Sequence, residues 1–270
     1  YSFVVYLTLT MKYLGFAGIS CVLFGYALIP HTLFAAVSTS TSEVTSEKEK
    51  LSKYALAIPV LFGVAREDIT PDFGEPRGGG TRSHEGQDIV APKGMLVVSP
   101  VRATVESFGT EPTAGKYVYT RGNDGRTYVY IHLDQIAKLK RGQKLKVGDV
   151  IGTVGDTGNA QGTTAHLHFE VHNSKGKPID PYPFLTKEFS LKEKISFLNK
   201  GLAKLKNDDR TVTLMATQFR PLLERGVKEK LTLNARLKKA LRTHALPTLS
   251  SVTDTLEIGS TGDEVTALQH

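Results

Sequence analysis

Polar and apolar residues alternate along several short stretches of this chain. His166-Leu167-His168-Phe169-Glu170-Val171 switches at every residue, the period of a strand whose successive side chains point to opposite faces. Leu167, Phe169 and Val171 are therefore expected in a core, with His166 and His168 together on the other face. Tyr128-Val129-Tyr130-Ile131-His132 also alternates, which predicts Tyr128, Tyr130 and His132 on the face opposite Val129 and Ile131. His84-Glu85-Gly86-Gln87-Asp88 contains a glycine and precedes Pro92, which argues against a helix. Read as extended, its offset of four keeps His84 and Asp88 on a common face. Leu96-Val97-Val98, Lys116-Tyr117-Val118-Tyr119-Thr120 and Val150-Ile151-Gly152-Thr153-Val154 read as further short strands, and Asn123-Asp124-Gly125 as a hairpin turn. From Asp68 to Leu185 the pattern predicts a mainly β domain, an antiparallel β-sandwich or open barrel.

Beyond Leu185 the apolar period lengthens to that of a helix. Ser190 and Glu193 form a capping box, followed by Leu191, Ile195, Leu198, Leu202 and Leu205 on one face. Val212, Met215, Phe219 and Leu222 predict a second helix, and Leu233, Leu237 and Leu241 a third. These stripes are packing surfaces, not a cofactor box.

The three strands with histidines offer polar groups to one shared groove. Zinc accepts neutral imidazole and carboxylate at about 2.0–2.2 Å, and a catalytic site keeps three protein ligands with a fourth position for water. Two histidines and one aspartate meet that need, and the bound water falls to a pKa of about 7. Histidines that do not ligate are free to take its proton or stabilise a developing oxyanion. His132 fits this second role together with whichever of His166 and His168 is not a ligand; spacing alone does not decide between them. Glu170 continues the polar face as either an outer partner of His168 or a solvent-exposed side chain, and His172 reads as exposed. Gly152, Gly155, Gly158 and Gly162 lack the GxGxxG spacing and precede a strand, so they read as groove wall or tight turns, not a phosphate cradle.

Phe73-Gly74, His84-Glu85-Gly86-Gln87-Asp88-Ile89, Ala91-Pro92-Lys93-Gly94, Tyr130-Ile131-His132-Leu133, Gly148-Asp149-Val150-Ile151-Gly152 and His166-Leu167-His168-Phe169-Glu170-Val171 follow one another in an order that resembles the lysostaphin-like (LytM-type) zinc metallopeptidases. The resemblance runs from Phe73 to Leu185. It implies a lipoyl-like barrel-sandwich of the duplicated-hybrid-motif type and one zinc ion per catalytic domain. It further implies His84, Asp88 and His168 as metal ligands and His132 and His166 as catalytic histidines. The implied activity is hydrolysis of peptide bonds in bacterial peptidoglycan, for wall remodelling or lysis. Thr163-Thr164-Ala165 stands where the family commonly has a proline, and Tyr130-Ile131 replaces the usual Tyr-Ala; neither removes a ligand. The alternative is a noncatalytic wall-binding or amidase-activating protein on the same fold, whose members typically lack ligand residues. A carrier role is a poor fit, because no Met-Lys-Met or Asp-Lys-Ala attachment hairpin is present.

The remaining segments concern delivery and attachment. Met11-Lys12 precedes an apolar run from Tyr13 to Leu33 closed by Ala35 and Ala36, which resembles a secretory signal or, alternatively, a membrane anchor, over residues 1–36. The expected location is secreted or cell-envelope, with the start at Met11 or further upstream. Cys21, the only cysteine, lies inside this run and not in a lipobox, so the exported part has neither disulfides nor a thiol nucleophile. Residues 37–55, rich in Ser, Thr, Glu and Lys, read as a flexible linker to the metallopeptidase domain at 56–186 and the helical region at 187–249. Leu256 to Gln269 resembles the opening of a peptidoglycan-binding domain, so 250–270 reads as an incomplete segment, and a fragment of a longer product is the expectation that explains both ends. A net charge of +7 favours anionic wall polymers. No nucleic-acid motif accompanies it, and the export signal argues against a nucleic-acid partner.

Overall fold

A computed structural model of the chain describes residues 53–243. The apolar segment at 1–36 with Cys21, the linker up to residue 52 and the tail at 250–270 lie outside the described residues. In chain order the strands are β1 Leu56–Ala57, β2 Pro76–Arg77, β3 Arg82–Ser83, β4 Gln87–Val90, β5 Leu96–Val98, β6 Ala103–Glu111, β7 Gly115–Gly122, β8 Thr127–Leu133, β9 Gln135–Ile136, β10 Lys144–Leu145, β11 Val150–Thr153, β12 His166–His172, β13 Pro178–Ile179 and β14 Leu185–Lys187. They are followed by helices α1 Leu191–Leu202, α2 Asp209–Thr217, α3 Arg220–Lys228 and α4 Ala235–Thr243. No described helix is long and apolar enough to cross a membrane.

The largest sheet runs β10-β6-β7-β8-β12-β13, and β4 lies along the part of β12 that β13 leaves free. Its pairings are all antiparallel. A smaller antiparallel sheet, β5-β11-β9, faces it across the core, and β2 and β3 form a separate hairpin. The short pair β1–β14 is parallel. The mainly antiparallel β architecture with a helical C-terminal region is thus what the alternating pattern anticipated.

Strand register decides which residues look inward, because directly paired residues share a face. On β12, Leu167 pairs with Ile89, Phe169 with Tyr130 and Val171 with Tyr128, and all six side chains are completely buried. The Phe169 ring lies between Tyr128 and Tyr130, with centroids 6.2 and 5.4 Å away. Such aromatic pairs contribute about 0.5–1.5 kcal/mol each beyond area burial. This corrects one expectation: Tyr128 and Tyr130 belong to the core and not to the groove. In a strand covered on both sides, alternation separates two faces without saying which is chemical.

The smaller sheet is buried on both faces. Its inner face meets the large sheet, and α1 covers the outer one, with Gly201 against Leu96 and Val150. A Cβ at Gly201 would come within 2.5 Å of Val150 Cγ2, so the missing side chain allows the close approach. The capping box predicted for α1 is present, Ser190 Oγ accepting from the Glu193 amide and the Glu193 carboxylate from the Ser190 amide. Ile195, Leu198 and Leu202 are buried, as their spacing requires. The single helix predicted over Val212 to Leu222 is instead two, α2 and α3. Pro221 lies in the first turn of α3, where a missing N–H costs nothing but an unbroken helix cannot continue through it. Leu237, completely buried, anchors α4.

Because Leu198 of α1 is completely buried in the core, Leu198→Ala should lower stability by about 2–5 kcal/mol in urea denaturation. A midpoint equal to that of the parent would mean that α1 does not pack there.

Candidate metal and catalytic site

On the face of β12 opposite the core, His168 pairs directly with Asp88 of β4, so the two side chains stand side by side. His84 does not share a strand with Asp88, as an extended reading had it. It follows β3, and the chain bends at Gly86 before β4 begins. That bend brings the backbone onto the His168 ring. A Cβ on Gly86 would lie 2.7 Å from His168 Nε2 and 2.8 Å from the Phe169 carbonyl oxygen, a space only glycine leaves open.

Three donor atoms converge as a result. His84 Nε2 lies 2.9 Å from His168 Nδ1 and 3.1 Å from Asp88 Oδ1, and His168 Nδ1 lies 2.9 Å from the same oxygen. His84, Asp88 and His168 form the cluster that could hold a metal ion among the described residues. The outer nitrogens explain why a cation belongs there. His84 Nδ1 faces the Asp72 carbonyl oxygen at 2.9 Å and Asp72 Oδ2 at 3.3 Å, acceptors that favour a proton on Nδ1, with Arg77 Nη2 also 3.1 Å away. His168 Nε2 donates to Glu170 Oε1 at 2.9 Å. Each inner nitrogen then presents a lone pair to the other and to a carboxylate oxygen. Such a triangle is repulsive without a positive charge, which protons on the rings or a bound metal ion supply.

Electrostatics reinforce this. Burial alone would lower the His84 pKa, but hydrogen bonds to Asp72 and Asp88 outweigh it and hold the group at about 10. Burial raises the Asp88 pKa, yet His168 and His84 pull it far below the usual carboxylate range. His168 is raised against burial by Asp88 and Glu170. The pocket therefore favours an anionic carboxylate beside cationic partners.

His132 reaches the same cleft by a route that strict alternation does not contain. On β7 and β8, Lys116 pairs with Leu133 but Val118 with Tyr130, so β8 carries an extra residue at Ile131-His132. His132 adopts a φ of 62°, the left-handed region. The resulting bulge re-aims its ring from the core face, where Tyr130 points, to the site face. Its amide bonds the Ala114 carbonyl, and its Nδ1 donates to the Thr157 carbonyl at 2.8 Å. His166 Nδ1 donates likewise to the Thr164 carbonyl at 2.8 Å. Both rings thereby turn Nε2 toward the cleft, and their centroids lie 5.1 Å apart. Burial, with His166 nearby, lowers the His132 pKa to about 4, so it is neutral at ordinary pH.

All five predicted residues line one cleft of about 680 Å³. Asn159, Ala160 and Thr163 form part of its wall, so the glycine-rich stretch is both turn and groove. Sequence reading missed Asp72 and Arg77. Asp72 Oδ1 accepts from the Asp88 amide, and Arg77 Nη2 bridges Asp72 Oδ2 at 3.1 Å and Asp88 Oδ2 at 3.3 Å. Their only signal was proximity to His84, because the β2–β3 hairpin that folds them back is a tertiary feature. His172, expected to be exposed, instead places Nε2 2.7 Å from Glu170 Oε2.

Comparison with known proteins agrees with this arrangement. Residues 82–181 match the model of Peptidase family M23. The L-Ala–D-Glu endopeptidase of Bacillus subtilis (strain 168) is 34% identical over 145 residues, 50% of this chain and 44% of that protein. Peptidoglycan DD-endopeptidase ShyC of Vibrio cholerae is 31% identical over 140 residues, 52% of this chain and 32% of that protein. The solved structure of LytU aligns at 32% identity with a TM-score of 0.40, covering 46% of this chain and 86% of LytU. The chain spans less than half the length of the two curated relatives. The stretch that matches Peptidase family M23 contains Asp88 and four of the histidines just described, His84, His132, His166 and His168.

Proposed function

We propose that this protein is a zinc-dependent endopeptidase that hydrolyses peptide bonds of bacterial peptidoglycan in the extracytoplasmic cell envelope. The observation that carries the reading is the convergence of His84 Nε2, Asp88 Oδ1 and His168 Nδ1 within 3.1 Å of one another, beside two histidines with free Nε2 atoms. Two imidazoles and one carboxylate suit zinc, and three protein donors leave a coordination position open. Bound there, zinc supplies Lewis acidity and lowers the pKa of a water from about 15.7 to about 7. The relatives named as endopeptidases of peptidoglycan support the substrate class.

The chain's own residues account for the remaining chemistry. The cleft orients an extended peptide across the His84–His168 pair. His132 Nε2, on a neutral and buried ring, accepts the proton of the attacking water. His166 Nε2 faces the same space and, with the ring in its imidazolium form, donates a hydrogen bond to the scissile carbonyl oxygen as that oxygen gains negative charge. Return of the proton to the leaving amine completes the cleavage. The noncatalytic alternative needs none of these donors, and the complete set weighs against it.

His168→Ala should abolish both zinc content, measured by atomic absorption, and clearing of peptidoglycan; retention of either would refute the assignment. His132→Ala and His166→Ala should retain zinc and lose at least about 100-fold in turnover, the usual scale of one acid–base group. A variant that instead lost its zinc would belong among the ligands. Gly86→Ala should fold but bind zinc poorly, because its methyl group displaces the His168 ring; parental zinc stoichiometry at micromolar zinc would contradict this. A parent protein without zinc or clearing would favour the wall-binding alternative.

A further inference from the structure

Glu170 and His172 are not used by the chemistry above, although both lie on the same face of β12 as His168. Residues two apart on a strand point the same way, so His168, Glu170 and His172 form a row. Glu170 is buried, 7% exposed, and both of its carboxylate oxygens are taken: Oε1 at 2.9 Å from His168 Nε2, Oε2 at 2.7 Å from His172 Nε2. A buried carboxylate is costly unless its hydrogen bonds are met, and here both partners come from its own strand. The opposite support, of His84, comes from the Asp72 main chain and carboxylate. The two imidazoles of the donor triangle are therefore held from behind by different carboxylate residues.

We infer that Glu170 is a positioning residue that sets metal affinity by fixing and polarising the His168 ring, and that His172 holds Glu170 in place to do so. The inference rests on the metal reading of the His84–Asp88–His168 cluster. Glu170 acts in two ways. Accepting from Nε2 keeps the Nδ1 lone pair aimed at the cluster, and its negative charge makes that lone pair a better donor to a dication. His172 occupies the second oxygen, so Glu170 cannot rotate away from His168 without leaving a buried oxygen unpaired. His172 sits at the end of β12, partly exposed, and does not face the donor triangle.

The test uses the full chain and a chromophoric chelator competing for zinc, with the metal-free thermal midpoint of each variant as the fold control. Glu170→Ala should weaken zinc binding by about 10–100-fold, the usual scale for removing an outer partner of a ligating histidine. Glu170→Gln keeps an acceptor without the charge and should fall between Glu170→Ala and the parent. His172→Ala should weaken binding by a smaller factor and broaden the visible spectrum of the cobalt-substituted protein as the His168 ring loosens. If Glu170→Ala does not fold, Glu170→Gln and His172→Ala still decide the matter, being gentler changes at the same row. Zinc affinities within twofold of the parent in the folded variants, with an unaltered cobalt spectrum, would overturn the inference while leaving the metalloenzyme reading intact. A parent that takes up no zinc would overturn both.

Discussion

Two imidazole nitrogens and a carboxylate oxygen cannot face one another at about 3 Å inside a protein without a proton or a metal ion between them. The rest of the architecture is organised around holding that arrangement. The antiparallel register of β4 against β12 places Asp88 beside His168, and the bend at Gly86 returns His84 to the same point. A shift of one residue in the β4–β12 register would send Asp88 into the core and Ile89 to the surface. Leu167, Phe169 and Ile89, completely buried, prevent that slip. The same apolar packing that stabilises the sheet thus fixes the donor geometry.

Support of the donors comes from both sides of the cluster. Asp72 and Arg77 bind the outer edges of His84 and Asp88, and Glu170 with His172 binds the outer edge of His168. Burial also drives the titration behaviour, because each charged member is stable only through its neighbours. Burial raises the Glu170 pKa, but hydrogen bonds from His168 and His172 bring it down to about 2, so the carboxylate is anionic at ordinary pH. His132 and His166 are organised by a different device, main-chain carbonyls of Thr157 and Thr164, which leave Nε2 of each ring toward the cleft.

The helical region contributes from the far side. Its α1 covers the smaller sheet, and that sheet in turn backs the large one, so the site face of β12 rests on a core continuous with the helices. Rigidity at the cluster therefore depends on packing well away from it. The left-handed backbone at His132 is strain of the kind that a surrounding structure must over-determine, and the hydrogen bonds from its amide and ring do this.

The sequence by itself showed the mainly β domain with a helical region after it, and it singled out five residues that the fold brings to one cleft. Alternation along His166–Val171 is a local property, since period two needs no partner, and the capping box of α1 is equally local. Local pattern also misled where partners mattered: one helix was read across Pro221, and Tyr128 and Tyr130 were assigned to the groove. Which of two covered faces is chemical depends on what packs against each, and that is set by strands far away in the chain. His132 shares the groove only because an inserted residue in β8 and a positive φ rotate its ring out of register with Tyr130. Asp72, Arg77 and His172 acquired their roles through a hairpin and through side-chain contacts. Only the tertiary structure decided these, because contact between residues distant in sequence is fixed by the packing of whole elements and not by the residues that touch.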